Sequence, residues 1–197
     1  ANKTGVKIVP FAGGSNIAGS LEVLKQGSVC VVSLDLKRMN KVLSIDKESS
    51  VAVIQAGAMG PYMEVQLQKE GFTLGHFPDS FEYSALGGWI ATRSAGMQSD
   101  VYGKIEDMVL SLRMVTPSGT IVTRTVPKSS NGIDIKHMCI GSEGILGVIT
   151  EAAMQVHKIP EYRKAYGFLF PDFESGIKAI YECVEKNSLP VVTRLND

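Results

Sequence analysis

The chain has 197 residues, 44% of them hydrophobic and 20% charged, a balance typical of a globular protein and too apolar for a disordered one. Lysine plus arginine and aspartate plus glutamate each total 20, so the net charge is zero and lends no support to nucleic acid as a partner. The three cysteines are far apart and odd in number, which favours neither a disulfide framework nor a metal site and suits a reducing compartment.

In chain order, the first part of the sequence predicts four strands and a helix. The predicted strands are apolar runs at residues 6–10, 29–34, 42–45 and 51–55. The last two flank a polar stretch and should form a hairpin. Residues 61–70 predict a helix, because Pro61 suits a first helical turn and Gly71 suits the position after the last one.

Residues 75–104 show little periodicity and contain many glycine, serine, proline and aspartate residues. So much irregular chain inside a compact domain is typically functional or disordered, and its aromatic content argues against disorder. Beyond it, strands are predicted at residues 109–115, 120–126 and 146–156, the first two joined by a turn at residues 116–119.

The character of the sequence changes from Pro160 onward. Asp172 suits a helix N-cap. The apolar residues that follow it at helical spacing are Phe173, Ile177, Ile180, Tyr181 and Val184. Residues 191–195 then begin a strand pattern, so a second strand–helix–strand unit is expected. Because that pattern stops abruptly and residues 1–5 are typical of the end of a helix, we expect the sequence to be part of a longer protein.

Three clusters of small residues are the candidate binding elements. The first, residues 10–16, follows a predicted strand, and its paired glycines allow successive N–H groups to point into one concavity that binds phosphate oxygens. A plain turn after the strand is equally compatible with this segment alone. The standard dinucleotide motif of three glycines is absent, and Ser20 stands where a Walker loop needs lysine.

The second cluster comprises residues 75–80 and 86–96, where small residues leave room for a large, flat group against the backbone. Ser80, Thr92 and Ser94 offer hydrogen bonds to a polar ring edge or a phosphate. The alternative is a tight packing turn with Trp89 in the core. The third cluster is residues 141–150, where Glu143 could accept a hydrogen bond from a ribose or ribityl hydroxyl. The alternative is a glycine-rich turn that only leads into a strand. Three such clusters in one domain favour a ligand.

The remaining polar residues carry less information. The three histidines, at positions 76, 137 and 157, are not spaced as metal ligands, so no metal is predicted. Arg93 and Arg194 are candidates for the fixed cation that a phosphorylated or carboxylated substrate needs, with an ion pair between elements as the alternative for each.

Together the clusters resemble the PCMH-type FAD-binding domain of the vanillyl-alcohol oxidase family, from residue 6 to residue 197. The most specific stretches are residues 75–97 and 102–107. Trp89 and the Thr92-Arg93 pair resemble the ether-lipid branch of this family more than the branches that oxidise D-lactate or glycolate. Ala12 stands where the family often has a third glycine, a departure that should leave the phosphate nest intact.

The resemblance implies an α+β fold in which two α/β subdomains hold FAD non-covalently. Residues 1–157 would form this FAD-binding domain, incomplete at its N-terminus, and residues 158–197 would begin a second α/β substrate (cap) domain. The implied cofactor-binding residues are Pro10, Phe11, Ala12, Gly13, Gly14, Ser15, Asn16, Pro78, Asp79, Ser80, Phe81, Glu82, Tyr83, Ser84, Gly87, Gly88, Thr92, Arg93, Ser94, Ala95, Ser142, Glu143, Gly144, Ile145, Leu146, Gly147 and Val148. Arg194 is offered as a phosphate contact of the substrate, and the catalytic acid and base are expected downstream of Asp197.

The implied reaction exchanges the acyl group of acyl-dihydroxyacetone phosphate for a long-chain fatty alcohol, with the flavin N5 atom bonded to the substrate carbon and no net redox change. The fragment alone is expected to be inactive. By resemblance only, the parent would be a homodimer associated with membranes, in peroxisomes or glycosomes. The alternatives are an FAD-dependent D-2-hydroxy-acid dehydrogenase and a cofactor-binding piece without activity of its own.

Overall fold

The computed structural model of the protein describes residues 1, 3–23 and 30–197. The strands are β1 (Lys7–Phe11), β2 (Val31–Asp35), β3 (Val42–Asp46), β4 (Val51–Gln55), β5 (Phe72–Thr73), β6 (Val109–Thr116), β7 (Gly119–Val122), β8 (Val148–Gln155) and β9 (His157–Lys158). The helices are α1 (Gly60–Gln68), α2 (Leu86–Thr92), α3 (Ser99–Tyr102), α4 (Ile105–Met108), α5 (Ile135–Cys139) and α6 (Phe173–Glu185), and Phe81–Tyr83 forms a 3-10 turn. The mixture of helices and sheets confirms the predicted α+β class.

The central element is a five-stranded antiparallel sheet with the order β3-β4-β8-β6-β7. Its two hairpins, β3–β4 and β6–β7, are the predicted ones. Strand β7 is shorter than the predicted strand at residues 120–126 and ends at Val122. Beyond β7, Thr123 makes two hydrogen bonds to Leu112 of β6. Its N–H donates to the Leu112 carbonyl at 3.1 Å, and its hydroxyl oxygen, in place of a backbone carbonyl, accepts from the Leu112 N–H at 3.0 Å.

One buried core lies against this sheet. Most of its largest fully buried side chains come from β4, α1, α2, α4, β6 and β8, and they include Ile54, Leu67, Ile90, Leu112 and Met154. Burying such a side chain contributes about 1.5–3 kcal/mol, so the core fixes α1 and α2 in place on the sheet. Helix α2 therefore has a rigid support.

Helix α1 follows the predicted pattern, with Pro61 in its first turn and Gly71 at φ +84° just beyond its end. Its Glu64 carboxylate is buried, accepting from the Thr73 hydroxyl and from the Leu74 N–H, each at 2.9 Å. Burial raises the pKa of this carboxyl, while the hydrogen bonds to Leu74 and Thr73 lower it. Glu64 thus anchors the start of the glycine-rich segment that follows.

Strands β1 and β2 form a separate two-stranded parallel sheet. Both were predicted, although Val29, at the start of the second predicted strand, lies outside the described residues. The small sheet joins the core through Leu36, which is buried. A Cβ added at Gly57 would come within 1.8 Å of the Leu36 carbonyl oxygen, so the two backbones lie in direct contact there.

The prediction that residues 75–104 are irregular is partly wrong, because α2 and α3 lie within this segment. The two glycines of α2, Gly87 and Gly88, have low helix propensity, so sequence pattern gave no helix. Packing overrides that propensity, since Trp89 and Ile90 of α2 are buried in the core. The short helix α5 and the β5–β9 pair were also not predicted.

Helix α6 confirms the prediction made from Asp172, whose side chain accepts from the Ser175 N–H at 2.7 Å. The expected strand at residues 191–195 is not formed, and no strand occurs in the described chain after Lys158. Only Gly176 of α6 is buried, so its apolar residues pack against little of the described protein. Among the residues that the structure describes, no helix has the length and apolar character needed to span a membrane.

Candidate functional site

A cavity of about 390 Å³ lies where the three predicted clusters meet. The segments that form it are far apart in sequence. The first wall comes from the loop after β1, the second from Ser80 to Ser94 around α2, and the third from the turn before β8. This convergence favours a ligand site over three unrelated packing turns, because independent turns have no reason to share one concavity.

The first wall is the loop at residues 10–16. Gly13 lies so close to the second wall that an added Cβ would come within 1.8 Å of the Tyr83 carbonyl oxygen. Gly14 adopts φ +72°, a conformation that favours glycine. In the described part of the chain, the N–H groups of Gly13, Gly14 and Ser15 have no protein acceptor. Free amides on a glycine turn are the groups that bind phosphate oxygens.

The second wall is built from the core outward. Trp89 is buried, and its indole Nε1 donates to the Ser84 hydroxyl oxygen at 2.7 Å. Ser84 in turn donates to the Ser80 carbonyl at 2.7 Å, so both serines are held at the edge of the cavity. At Gly88 an added Cβ would meet no atom within 4 Å, which shows open space beside the helix backbone.

His76 lies behind the second wall, and its Nε2 is 3.1 Å from the hydroxyl of Ser94, a cavity residue. Its ring packs edge-on against Trp89 with ring centroids 5.1 Å apart. Burial lowers the pKa of His76 to about 4, so its imidazole is neutral at neutral pH. The other ring nitrogen, Nδ1, is buried without a partner among the described residues.

The third wall is the turn that contains Glu143 and Gly144. Both residues have left-handed backbone, at φ +48° and +83° respectively. Hydrogen bonds tie the turn to the end of α2, since Gly141 N–H donates to the Ile90 carbonyl at 2.9 Å and Glu143 N–H donates to the Ala91 carbonyl at 3.0 Å. The third wall thus caps carbonyl groups that α2 leaves unpaired.

The cavity brings many of the predicted residues together. Those that line it are Pro10, Phe11, Ala12, Gly13, Gly14, Ser15, Asn16, Ser80, Ser84, Gly87, Gly88, Thr92, Ser94, Glu143, Gly144 and Gly147. Those outside its lining are Pro78, Asp79, Phe81, Glu82, Tyr83, Arg93, Ala95, Ser142, Ile145, Leu146 and Val148. Arg194, the predicted substrate contact, is exposed and also lies outside the lining.

Part of the cavity lining was not predicted from the sequence. The additional residues are Val9, Ile17, Ala18, Ser20, Leu21, Leu36, Ala85, Trp89, Ala91 and Ile149. Most are apolar or small and sit beside a predicted residue, so extending each cluster by a few positions would have found them. Leu36 has no such neighbour, because the parallel pairing of β1 with β2 brings it to the cavity.

The cavity lining has little charge. Glu143 is the one charged residue among the described residues that line it. Beside the first wall, the Nζ of Lys37 lies 5.2 Å from the centre of the Phe11 ring. Within the described residues, no group of three or more histidine, cysteine, aspartate or glutamate residues is arranged to hold a metal ion.

Comparison with protein families identifies the class. Residues 1–125, more than half of the chain, match the family described as "FAD binding domain". The chain therefore belongs to this FAD-binding family, which confirms the predicted cofactor and its PCMH-type domain.

Particular relatives narrow the class further. An alkyldihydroxyacetonephosphate synthase of Dictyostelium discoideum is 50% identical over 197 residues, all of this chain and 32% of the relative. One of Trypanosoma brucei brucei is 42% identical over 198 residues, with the same coverage. A solved structure of alkyldihydroxyacetonephosphate synthase superposes with a TM-score of 0.92 at 49% identity, covering 98% of this chain and 35% of that one. The chain thus spans about a third of the length of these relatives.

More distant relatives include a D-lactate dehydrogenase of Anaerostipes hadrus, 33% identical over 173 residues. The chain is therefore more similar to the ether-lipid branch, predicted from Trp89 and the Thr92-Arg93 pair, than to the D-lactate branch.

The cavity residues fit FAD. The unpaired amides of Gly13, Gly14 and Ser15 suit a diphosphate, and the open backbone face at Gly88 suits a flat ring. Glu143 offers an acceptor for a sugar or ribityl hydroxyl.

Proposed function

We propose that this chain forms the FAD-binding part of an enzyme that exchanges the acyl group of acyl-dihydroxyacetone phosphate for a long-chain fatty alcohol. The observation that carries the proposal is the likeness to alkyldihydroxyacetonephosphate synthases, at 49–50% identity over nearly the whole chain. The three-walled cavity supports it, because this part of the fold offers a site for the cofactor, and Glu143 is the one charged residue among the described residues that line it.

In this proposal the FAD diphosphate binds the amides of the first wall, at residues 10–16. The flavin and ribityl chain lie along Ser80, Ser84 and α2, and Glu143 accepts from a hydroxyl of the cofactor. The predicted residues that do not line the cavity would act by supporting those that do. Attachment is non-covalent. When bound, FAD supplies the reactive ring nitrogen for an exchange that has no net redox change.

The protein residues in the cavity would bind and orient the cofactor. His76 would hold Ser94 in one orientation, with its neutral Nε2 on the Ser94 hydroxyl. The proton-transfer groups and the fatty-alcohol site are proposed to lie outside these residues. Arg194, near the end of the described chain, remains a proposed contact for the substrate phosphate.

Cofactor binding is tested on the purified chain. We expect a flavin absorbance band near ~450 nm after incubation with FAD and gel filtration, and quenching of flavin fluorescence in titration. A folded chain that takes up no FAD would refute the proposed cavity.

Activity is tested on the natural polypeptide that carries these residues. With acyl-dihydroxyacetone phosphate and a fatty alcohol, and with electron acceptors excluded, we expect an ether product and a released fatty acid. The second candidate, a D-2-hydroxy-acid dehydrogenase, is favoured by the relatives near 33% identity. Reduction of a dye by D-lactate without ether formation would select that candidate instead.

We propose an FAD-binding domain at residues 1–157 and the start of a cap domain from residue 158, supported by the loss of sheet pairing after β9. From the same family likeness we also propose a homodimer that is located in peroxisomes or glycosomes and associated with membranes. Light scattering and imaging of the tagged natural polypeptide test these points.

A further inference from the structure

Arg93 occupies an unusual backbone position. It ends α2 with φ 52° and ψ 47°, the left-handed conformation, and its N–H donates to the Trp89 carbonyl. Glycine is preferred at such helix ends, and other residues carry a conformational cost there. A long arginine side chain at this position is therefore expected to make contacts that offset this cost.

The Arg93 side chain does make such contacts, and they lie away from the cavity. Its Nη2 donates to the His137 carbonyl of α5 at 3.0 Å, and its Nη1 lies 3.6 Å from the Glu106 carboxylate of α4. Its stem lies against Gly141, where an added Cβ would come within 2.5 Å of the Arg93 Nε. One side chain thus joins the end of α2 to α4, to α5 and to the turn that begins the third wall.

That turn depends on the same region of α2. The N–H groups of Gly141 and Glu143 donate to the carbonyls of Ile90 and Ala91, so the third wall is bonded to the last turn of α2. The guanidinium holds the C-terminal part of α5 through His137, and Gly141 follows α5 by two residues. Arg93 is thus linked to the turn that carries Glu143 through Gly141 and α5, although Arg93 itself lines no part of the cavity.

We propose that Arg93 is a positioning residue that clamps the third wall, at Gly141 to Gly144, against α2 and so keeps the cavity shaped for FAD. Only the identity of the ligand, FAD, rests on the proposed function. It assigns to Arg93 a role through Gly141 and His137 instead of a direct contact with the cofactor. The ion pair with Glu106 is half-exposed and contributes little, so the hydrogen bond and the packing carry the clamp.

The test uses Arg93→Gly, because glycine removes the side chain and at the same time suits the left-handed backbone. Ser50→Gly is the matched control, since Ser50 also has a left-handed φ of 55° but lies in the β3–β4 turn, far from the cavity lining. Both changes relieve the same kind of strain, so neither is expected to lower the melting temperature through the backbone. Arg93→Lys provides a partial rescue.

We expect Arg93→Gly to weaken FAD affinity about tenfold, the size of one net hydrogen bond with its packing. In the FAD-free protein, amide hydrogen exchange at Gly141 and Glu143 should be about tenfold faster, while amides of the central sheet keep their protection. Arg93→Lys should fall between the wild type and Arg93→Gly in both measurements. Ser50→Gly should leave both unchanged.

Unchanged exchange at Gly141 and Glu143 in Arg93→Gly would overturn the clamp. A loss of affinity with unchanged exchange would indicate a direct contact between Arg93 and FAD instead. If the wild-type chain binds no FAD, the proposed function fails, but the exchange measurement still decides the clamp. The two failures are therefore distinguishable.

Discussion

The first and second walls of the cavity differ in how the protein supports them. The second wall rests on the buried core through Trp89 and Ile90, which are almost fully buried. The first wall follows a sheet of only two strands, β1 and β2, whose side chains Ile8, Val32 and Leu34 are exposed. It meets the rest of the protein at a few close contacts, of Leu36 with Gly57 and of Gly13 with Tyr83.

This difference indicates that one side of the cavity is formed before the ligand binds, while the other depends on a few close contacts. A rigid wall can present hydrogen-bonding groups at fixed positions. A ligand that contacts both walls should stabilise the lightly supported wall most. Ligand binding stabilises the folded state by mass action. Mutations in the two walls should therefore differ in their effects on FAD affinity and on stability.

The largest effect is expected where the two walls touch. In Gly13→Ala, the new Cβ would overlap the Tyr83 carbonyl oxygen, so the first wall must move away. Overpacking of this kind costs about 3 kcal/mol. We expect FAD affinity to fall by at least about a hundredfold, as measured by fluorescence titration. Gly167→Ala, where an added Cβ meets no atom within 4 Å, is the control and should bind FAD normally. Normal binding by Gly13→Ala would show that the walls need not touch.

The second wall should make stability depend on pH through His76. Because burial lowers the pKa of this imidazole from 6.5 to about 4, the unfolded chain takes up a proton before the folded one as the pH falls. Stability should therefore decrease between pH 6.5 and 4, by on the order of 3 kcal/mol at the acid end. Denaturant unfolding as a function of pH measures this decrease.

His76→Gln isolates this effect, since it removes the titrating group and keeps a polar side chain. The raised pKa of Glu64 works in the opposite direction, because the folded state then binds its proton more readily, but it is common to both proteins. His157, whose pKa burial also lowers, is common to both as well. Equal pH dependence in the two proteins would show that the imidazole is not kept neutral by burial.

The support of the second wall is tested by Trp89→Phe. The change removes the 2.7 Å hydrogen bond from Nε1 to Ser84 and leaves a small void in the core. We expect the free energy of unfolding to fall by about 2 kcal/mol. Ser84→Ala removes the same bond from its other side. In the double mutant the two losses should not add, and full additivity would mean that the bond contributes nothing to stability.

The fold was predicted best where local pattern and packing agree. The hairpins, α1 and α6 follow from periodicity, from Pro61 and from the Asp172 cap, each a local property. Helix α2 was not predicted because its two glycines have low helix propensity. Its stability comes instead from the burial of Trp89 and Ile90, which is a tertiary property. The strand expected at residues 191–195 fails for a related reason, because a strand needs a partner that the described chain does not provide.

The site was predictable as three clusters but not in its detailed lining. Glycine-rich turns identify where backbone is accessible, and the three predicted clusters lie around one cavity. The direction of a side chain depends on neighbours distant in sequence. The side chain of Arg93, for example, reaches the His137 carbonyl, 44 residues further along the chain. No local pattern contains that information.

The smallest expected effect separates stability from binding at the second wall. Gly88 lies within α2, so Gly88→Ala should stabilise the folded protein by about 0.5–1 kcal/mol through the unfolded chain. Its Cβ would enter open space beside the cavity lining, where the flat ring of FAD is proposed to lie. We therefore expect a higher melting temperature without FAD, together with an affinity for FAD weakened by about threefold to tenfold. If Gly88→Ala raised the melting temperature without weakening FAD binding, the flavin ring would not lie against Gly88. A ring in that position would meet the new Cβ, so stability should rise while affinity falls.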